Sequence, residues 1–155
     1  MTAKLPVCIY SGLLGQLQAG DTLAVNTPPQ FVAVASSLLA AGAPVYVPTT
    51  NAVDNADARV TAFAVVVGMS IARTLATAPA TIQTAGTLTL TTVEWDAIAG
   101  TVGGLVGGTA YYLGDMAAGT MMAPAPSTPT EWVVPLGVAL NTTDFLISIG
   151  SRVQL

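Results

Sequence analysis

Two acidic residues, Glu94 and Asp96, flank Trp95 and form the most closely spaced carboxylate pair in the sequence. If this segment is a strand, residues two apart share one face, and paired carboxylates can perform general acid–base catalysis. That chemistry also needs a base or a nucleophile beside the pair, and none accompanies Glu94 and Asp96. We therefore interpret the pair as part of a solvated strand edge, and we predict no catalytic residue in this chain.

A second group of polar side chains, Asn51, Asp54, Asn55 and Asp57, offers the oxygen ligands that calcium prefers. Their spacing differs from that of an EF-hand loop, which alternates Asp or Asn and needs a central Gly and a terminal Glu. The alternative is a polar loop over residues 51–57 in which these side chains bond nearby backbone amides. The sequence favours the loop, so we predict neither a metal site nor a bound cofactor.

Residues 97–114 form a charge-free stretch with glycines at positions 100, 103, 104, 107 and 108. A phosphate-binding loop would need a following Gly-Lys-Ser/Thr sequence and a helix start, and the stretch has neither. A membrane helix would tolerate GxxxG spacing, but this stretch is too rich in glycine for a stable helix and lacks flanking Lys or Arg. We predict a loop that leads into a strand.

The two tryptophans suggest a different kind of site, because an exposed aromatic ring can stack on a sugar. Trp132 begins an apolar segment and is expected to anchor the core of the C-terminal half. Trp95 is the better of the two candidates for exposure, and with Tyr111 and Tyr112 it defines a possible carbohydrate-binding surface. The favoured interpretation of Trp95 is nevertheless a core or subunit contact.

The composition excludes several classes of function. The 155 residues include no His and one Cys, which excludes Ser-His-Asp catalysis, an internal disulfide and a cysteine-cluster zinc site. Only 8% of the residues are charged, and the net charge is −4. Nucleic acids and anionic membranes bind clustered Lys and Arg, so neither is predicted as a partner. The composition thus indicates a non-enzymatic protein.

The hydrophobic residues are mostly small or β-branched. Ala (26), Thr (21), Val (18) and Gly (15) together make up 80 of the 155 residues. Val and Thr suit a pleated, half-buried surface, and 15 Gly and 10 Pro interrupt the chain too often for long helices. We predict an all-β fold, resembling a β-sandwich or β-barrel, with short strands and long Gly/Pro-rich loops.

The expected strands follow from the turns that bound them. Residues 31–41 remain ambiguous, because a helix and a strand followed by a helical turn both fit. Residues 61–72 predict a buried strand with a bulge or a close backbone contact at Gly68, and residues 82–93 predict a hairpin that turns near Ala85 and Gly86. Further strands are expected over residues 7–10, 22–25, 45–47, 109–113, 133–139 and 145–149.

Two segments of the chain repeat one pattern. Residues 42–47 parallel residues 108–113, and residues 65–71 parallel residues 133–139, with Gly68 matching Gly137. In each copy a glycine-led strand that carries Tyr precedes an apolar strand with an internal glycine. We infer two small related β-lobes over residues 25–100 and 101–155, preceded by an N-terminal arm over residues 1–24.

Several runs resemble the structural proteins of tailed bacteriophages, in particular the head-decoration (cement) and head-fibre family. Residues 104–113, which end in Ala-Tyr-Tyr-Leu, are similar to the C-terminal unit of that family when followed by residues 134–140. The other runs that carry the resemblance are residues 12–23, 40–47, 55–58 and 66–68. The likeness rests on turn glycines and core positions, so it implies a fold and an assembly role but no catalytic residue.

The resemblance implies a non-catalytic virion protein that binds the outside of a phage capsid and stabilises it. Its expected partners are the major capsid protein and further copies of itself, most plausibly in a homotrimer. It would be made in the cytoplasm of the bacterial host and located on the capsid exterior. A fibre or tail-appendage subunit is the alternative, and a carbohydrate-binding adhesin domain is another.

The arm over residues 1–24 is expected to dock the protein on the capsid, because it precedes both lobes. Its deletion should abolish capsid binding and leave the β-fold intact. Cosedimentation with capsids measures the binding, and the far-ultraviolet circular dichroism of the truncated chain is the control for folding. Binding that survives the deletion would contradict this assignment.

Overall fold

The computed structural model describes residues 27–155, together with the backbone of two strands nearer the N-terminus, β1 (Val7–Tyr10) and β2 (Leu13–Gln16). These two strands pair antiparallel, with Val7 opposite Gln16. The strand predicted over residues 7–10 is therefore confirmed. The predicted strand over residues 22–25 and the side chains of the proposed arm lie outside the described residues.

Residues 27–155 confirm the all-β fold class, with twelve further strands and one short helix. The first five strands are β3 (Gln30–Ala35), β4 (Pro44–Tyr46), β5 (Ala52–Asn55), β6 (Gly68–Ser70) and β7 (Pro79–Gln83). The helix, α1 (Thr92–Ala99), follows β8 (Gly86–Thr89). The remaining strands are β9 (Ala110–Leu113), β10 (Met121–Met122), β11 (Trp132–Val133), β12 (Pro135–Ala139), β13 (Asp144–Ile147) and β14 (Val153–Gln154).

The strands form two main sheets. The first closes into a barrel in the order β3-β5-β4-β6-β7, and it closes through a parallel pairing of β3 with β5. The second is an open sheet in the order β10-β9-β12-β13-β8, in which all neighbours are antiparallel. A short pairing of β11 with β14 lies beside them. The barrel forms the main part of the first lobe, and the open sheet forms the main part of the second.

The two lobes share one topology. Opened between β3 and β5, the barrel has the order β5-β4-β6-β7-β3, and the second sheet has the order β10-β9-β12-β13-β8. With the five strands of each sheet numbered along the chain, both orders are 3-2-4-5-1. The four corresponding pairings are antiparallel in both sheets. The duplication inferred from sequence is thus repeated strand by strand.

The duplication extends to individual residue pairs. Gly68 lies opposite Val45, and Gly137 lies opposite Tyr111, at the positions that the sequence alignment of the two halves makes equivalent. A Cβ atom at Gly68 would lie 2.7 Å from the carbonyl oxygen of Gln83, and one at Gly137 would lie 2.0 Å from that of Leu146. Glycine is therefore required at both positions, because the backbone of the next strand fills the space of a side chain. The close contact predicted at Gly68 is confirmed.

Two apolar cores hold the lobes. The interior of the barrel is filled by small and β-branched residues, among them Ala35, Val45 and Val53, with Leu39 and Ile82. The second core lies between the lobes and combines the outer side of the barrel with the inner side of the second sheet. It contains Tyr46 and Met69 from the barrel and Trp95, Leu136 and Phe145 from the second lobe.

Helix α1 corrects two expectations, the hairpin over residues 82–93 and the strand that would carry Glu94 and Asp96. Strands β7 and β8 pair with different partners, so the chain passes from one sheet to the other near residue 85. Thr91 and Glu94 form a capping box that begins the helix, and Gly100 ends it with φ +65°. No helix in the described part of the chain is long and apolar enough to cross a membrane.

Strand pairing also changes the predicted limits of other elements. Residues 52–55, predicted as part of a polar loop, form β5, because they pair with β3 on one side and β4 on the other. Residues 61–67 do not form a strand, and only residues 68–70 of the segment predicted over 61–72 do. Residues 31–41 begin in β3 and continue without helix. The boundary between the lobes, predicted after residue 100, lies too late in the chain. Strand β8 precedes that boundary but pairs within the second sheet.

Gly137→Ala is expected to destabilise the fold by about 2–3 kcal/mol, because the added methyl group meets backbone rather than a movable side chain. Gly108→Ala is the matched control. Gly108 also has positive φ, but nothing lies within 4 Å of an added Cβ, so a loss of about 1 kcal/mol is expected. Urea unfolding of both variants measures the difference. Equal losses at the two sites would contradict the requirement at residue 137.

Candidate functional site

The carboxylates of Glu94 and Asp96 do different structural tasks on α1. Glu94 accepts hydrogen bonds from the backbone N–H (2.9 Å) and the hydroxyl (2.7 Å) of Thr91, and these bonds lower its pKa. Asp96 points to the loop that follows the helix. Because residues two apart on a helix do not face each other, the two carboxylates do not form an acid–base pair.

Asp96 organises the glycine-rich loop. Its carboxylate accepts hydrogen bonds from the backbone N–H of Gly104 (2.8 Å), the hydroxyl of Thr101 (2.8 Å) and the backbone N–H of Gly103 (2.9 Å). These bonds, the one from Gly104 above all, lower the pKa of Asp96. The amides that a phosphate would need are therefore occupied by a carboxylate of the same chain. The loop leads into β9, as predicted.

The four polar residues proposed as calcium ligands do not converge. Asp54 bonds the hydroxyl of Ser37 and the backbone N–H of Asn55, while Asn55 donates to the Ser37 hydroxyl and to the Leu38 carbonyl at 3.0 Å each. These bonds tie β5 to the turn after β3. Asp57 pairs instead with Arg59. Within residues 27–155 no three acidic or cysteine side chains are grouped so as to hold a metal ion.

The pair formed by Asp57 and Arg59 is a feature that the sequence analysis missed. The guanidinium contacts both carboxylate oxygens, at 2.9 and 2.7 Å, and this hydrogen bonding lowers the pKa of Asp57. Asp57 chiefly, and then Asp115 and Glu131, raise the pKa of Arg59. It is the one ion pair among the described residues. The two-residue spacing was its only sequence signal.

The ion pair borders the seam between the lobes. Beside it, the backbone N–H of Ala58 donates to the carbonyl of Gly114 (3.3 Å), and the N–H of Trp132 donates to the carbonyl of Ala58 (2.9 Å). The N–H of Gly119 donates to the carbonyl of Ala56 (2.7 Å). Residues 56–58 of the first lobe are thus bonded to the loop between β9 and β10 and to strand β11 of the second.

The aromatic residues proposed for sugar binding are mostly internal. Trp95 is fully buried and donates its indole N–H to the carbonyl of Thr143 (2.8 Å), which confirms the favoured core contact, although Trp132 and not Trp95 is the more exposed tryptophan. Tyr111 is 2% exposed, and its hydroxyl accepts a hydrogen bond from the backbone N–H of Val106 (3.1 Å). Neither ring is open to a ligand. Tyr112, the third residue of the proposed platform, is half-buried.

Trp132 is half-buried at the seam and packs on the core between the lobes. The guanidinium of Arg152 lies 4.5 Å from the centre of its ring, and its indole N–H donates to the hydroxyl of Thr61 (3.3 Å). Arg152 in turn donates to the carbonyl of Thr61. The ring therefore links the C-terminal strand region to the first lobe, at the margin of the core rather than at its centre.

Two exposed faces remain after these contacts are assigned, one on each lobe. On the second sheet, a row runs straight across four strands, and we call it the second-sheet outer face: Thr87, Leu146, Val138 and Ala110. Its two large residues, Leu146 and Val138, are 40% and 38% exposed. On the first lobe, the barrel outer face comprises Val32, Val34, Leu75 and Pro79, and Val32 is 65% exposed.

The second-sheet outer face carries almost no charge. The nearest carboxylate is that of Asp144, opposite Thr89 on the neighbouring strand. It accepts hydrogen bonds from the Thr89 hydroxyl and the Asn141 amide, both at 2.6 Å, and these bonds lower its pKa. An exposed apolar patch with few charges is a common site of contact with other protein. This face is therefore the candidate interaction site.

Asp96→Asn is expected to lower the midpoint temperature of unfolding at pH 7, because an amide offers one acceptor oxygen to three donors. The pKa of Asp96 is lowered in the fold from 3.8, so its carboxylate stabilises the protein above that pH and loses the contribution as pH falls below it. The difference in midpoint between variant and wild type should therefore narrow between about pH 5 and about pH 2.

Thermal unfolding followed by circular dichroism measures both midpoints across this range. Val102→Ala is the control, because Val102 lies in the same loop and is fully exposed, and its effect should be small at every pH. A difference for Asp96→Asn that does not vary with pH would contradict the role of the ionised carboxylate.

No known family model and no curated protein matches this sequence. Function must therefore be inferred from the chain's own residues, from the faces that they leave exposed, and from the resemblance carried by its turn glycines and core positions.

Proposed function

We propose that this protein is a structural, non-catalytic component of a tailed-phage virion, which binds the outside of the capsid and stabilises it as a decoration (cement) protein. The single observation that carries the proposal is the pair of apolar, almost uncharged outer faces, one on each lobe. Surfaces of this kind are characteristic of proteins that work in contact with other protein.

The side chains that could do chemistry support a non-catalytic role. Glu94 caps a helix, Asp96 closes a loop, Asp57 pairs with Arg59, and Asp144 braces a strand. In each of these residues the pKa is lowered by a bond within the fold, which keeps the carboxylate ionised. A catalytic acid or base at neutral pH needs the opposite shift.

The edge of the second sheet supports the same proposal. The buried side chain of Gln83 donates from its amide nitrogen to the carbonyls of Ala85 (3.1 Å) and Thr87 (3.0 Å), which satisfies part of the free edge of β8. One carbonyl at this edge of β8, that of Thr87, is thus bonded within the molecule, while the flat face of the sheet is left open. Such a surface suits a defined face-to-face contact.

In the proposed particle, the partners are the major capsid protein and two further copies of this chain. A homotrimer on a local threefold position would cover uncharged surface that is unfavourable in water. The protein would be made in the host cytoplasm and located on the capsid exterior. No nucleic acid, membrane or cofactor enters this proposal.

Quantitative mass spectrometry of purified particles tests the proposal. We expect hundreds of copies per particle, in a fixed ratio to the major capsid protein. Capsids that lack the protein should also lose integrity at a lower temperature and should regain it when purified protein is added. Lysozyme, added at equal concentration, is the control for nonspecific stabilisation.

A few copies per particle would instead favour the alternative, a fibre or tail-appendage subunit built from the same lobes. Absence from particles would overturn both assignments.

A further inference from the structure

We propose that the second-sheet outer face is where copies of this chain meet, so that a second copy covers it in the assembled protein. The inference deepens the proposed function and rests on it, because the partner that it names is a neighbour within the proposed homotrimer. The counterpart of this face in the first lobe supports the inference.

The duplication identifies the counterpart residue by residue. In the first lobe, Met69 lies opposite Gln83 on one side and Pro44 on the other. In the second lobe, Val138 lies opposite Leu146 and Ala110 in the same arrangement. Met69 directly follows Gly68, and Val138 directly follows Gly137. Because these two glycines occupy equivalent positions in the two lobes, the two rows are structurally equivalent.

The two equivalent rows differ in how far their side chains are buried. Met69 is fully buried and Gln83 is 3% exposed, whereas Val138 and Leu146 are each more than a third exposed. Tyr46, on the same side of the barrel, is also buried, and its equivalent Tyr112 is only half-buried. The row formed by Gln83, Met69 and Pro44 in the first lobe is thus buried, whereas the equivalent row in the second lobe is exposed.

The cover of the first-lobe row is the chain's own second lobe. Met69 belongs to the core between the lobes, and the Gln83 amide bonds the carbonyls of residues 85 and 87 at the start of the second sheet. The molecule therefore already contains one example of this row packed against uncharged residues of its own sequence. A second copy supplies residues of the same chemistry to the row that is left open.

Electrostatics allow the face to meet itself. Self-association brings identical side chains together, so any unpaired charge on the face would meet a like charge and oppose the contact. Thr87, Leu146, Val138 and Ala110 carry none. The bordering Asp144 is ionised and bonded only to neutral groups of its own chain, so the contact must leave it at the rim of the face. A face built to bind a charged partner would instead present the opposite charge.

The face supplies only part of the area that a stable contact needs. Four strands spaced about 4.8 Å apart, over about five residues, give roughly 300 Å². A stable two-body contact buries about 800 Å² on each partner. The exposed side chain of Leu140 extends the face beyond the end of β12, and around a threefold axis each copy also contacts its two neighbours through surface outside the face.

Val138→Lys, and separately Leu146→Lys, test the proposal in the full-length chain by light scattering at micromolar concentrations. We expect a wild-type trimer and, for either variant, dissociation at a concentration at least about tenfold higher, because three lysines would meet at the axis. Val153→Lys is the matched control. It places the same charge on an exposed strand valine that belongs to neither outer face, and it should leave the trimer intact.

Circular dichroism of each variant checks that the sheet is retained. If a lysine variant does not fold, Val138→Thr replaces it, since threonine keeps the branched shape and should still weaken assembly. A monomeric wild type would overturn the proposal, and so would a trimer that either folded variant leaves unchanged. A wild type that is monomeric yet abundant on particles would overturn this inference alone. A trimer that is absent from particles would overturn the proposed function but leave the interface supported.

Discussion

The packing of the barrel's outer side onto the inner side of the second sheet is the interaction on which the rest of the molecule depends. An open five-stranded sheet cannot bury both of its faces alone. The second lobe buries its inner face in one core with Tyr46 and Met69 of the barrel and with Trp95 of α1, which packs on Phe145. The barrel closes around its own small core and so leaves its outer side free for that contact. Two lobes of one topology thus have different roles. One closes into a barrel, and the other remains an open sheet that packs on the outer side of that barrel.

The few charged residues are used to hold loops in place at this seam and at the ends of elements. Asp57 and Arg59 lie beside the backbone bonds that join the lobes, and Asp96 holds the loop between α1 and β9. With Asp57, Glu94, Asp96 and Asp144 engaged in local bonds, little charge is left on the flat outer surfaces of the described residues. Surfaces with so little charge are suited to contacts with other protein.

Much of the fold could be predicted from local pattern. The all-β class follows from the abundance of Val, Thr, Gly and Pro, and the duplication follows from matching positions such as Gly68 and Gly137. Helix α1 was missed although its capping box, Thr91 with Glu94, is visible in the sequence, because the alternating threonines before it favoured a strand. A core or subunit contact was favoured for Trp95, but the sequence could not identify its partner Phe145, which lies 50 residues away.

The sequence by itself determined which segments are extended, where glycine is indispensable, and that one pattern occurs twice. These properties depend on backbone preferences and on neighbours along the chain. Only the tertiary structure decided which strands pair, that residues 52–55 join the barrel, and that one of two equivalent rows is covered while the other is open. The reason is that burial and pairing depend on residues that are distant in sequence, and two nearly identical local patterns can therefore meet different surroundings.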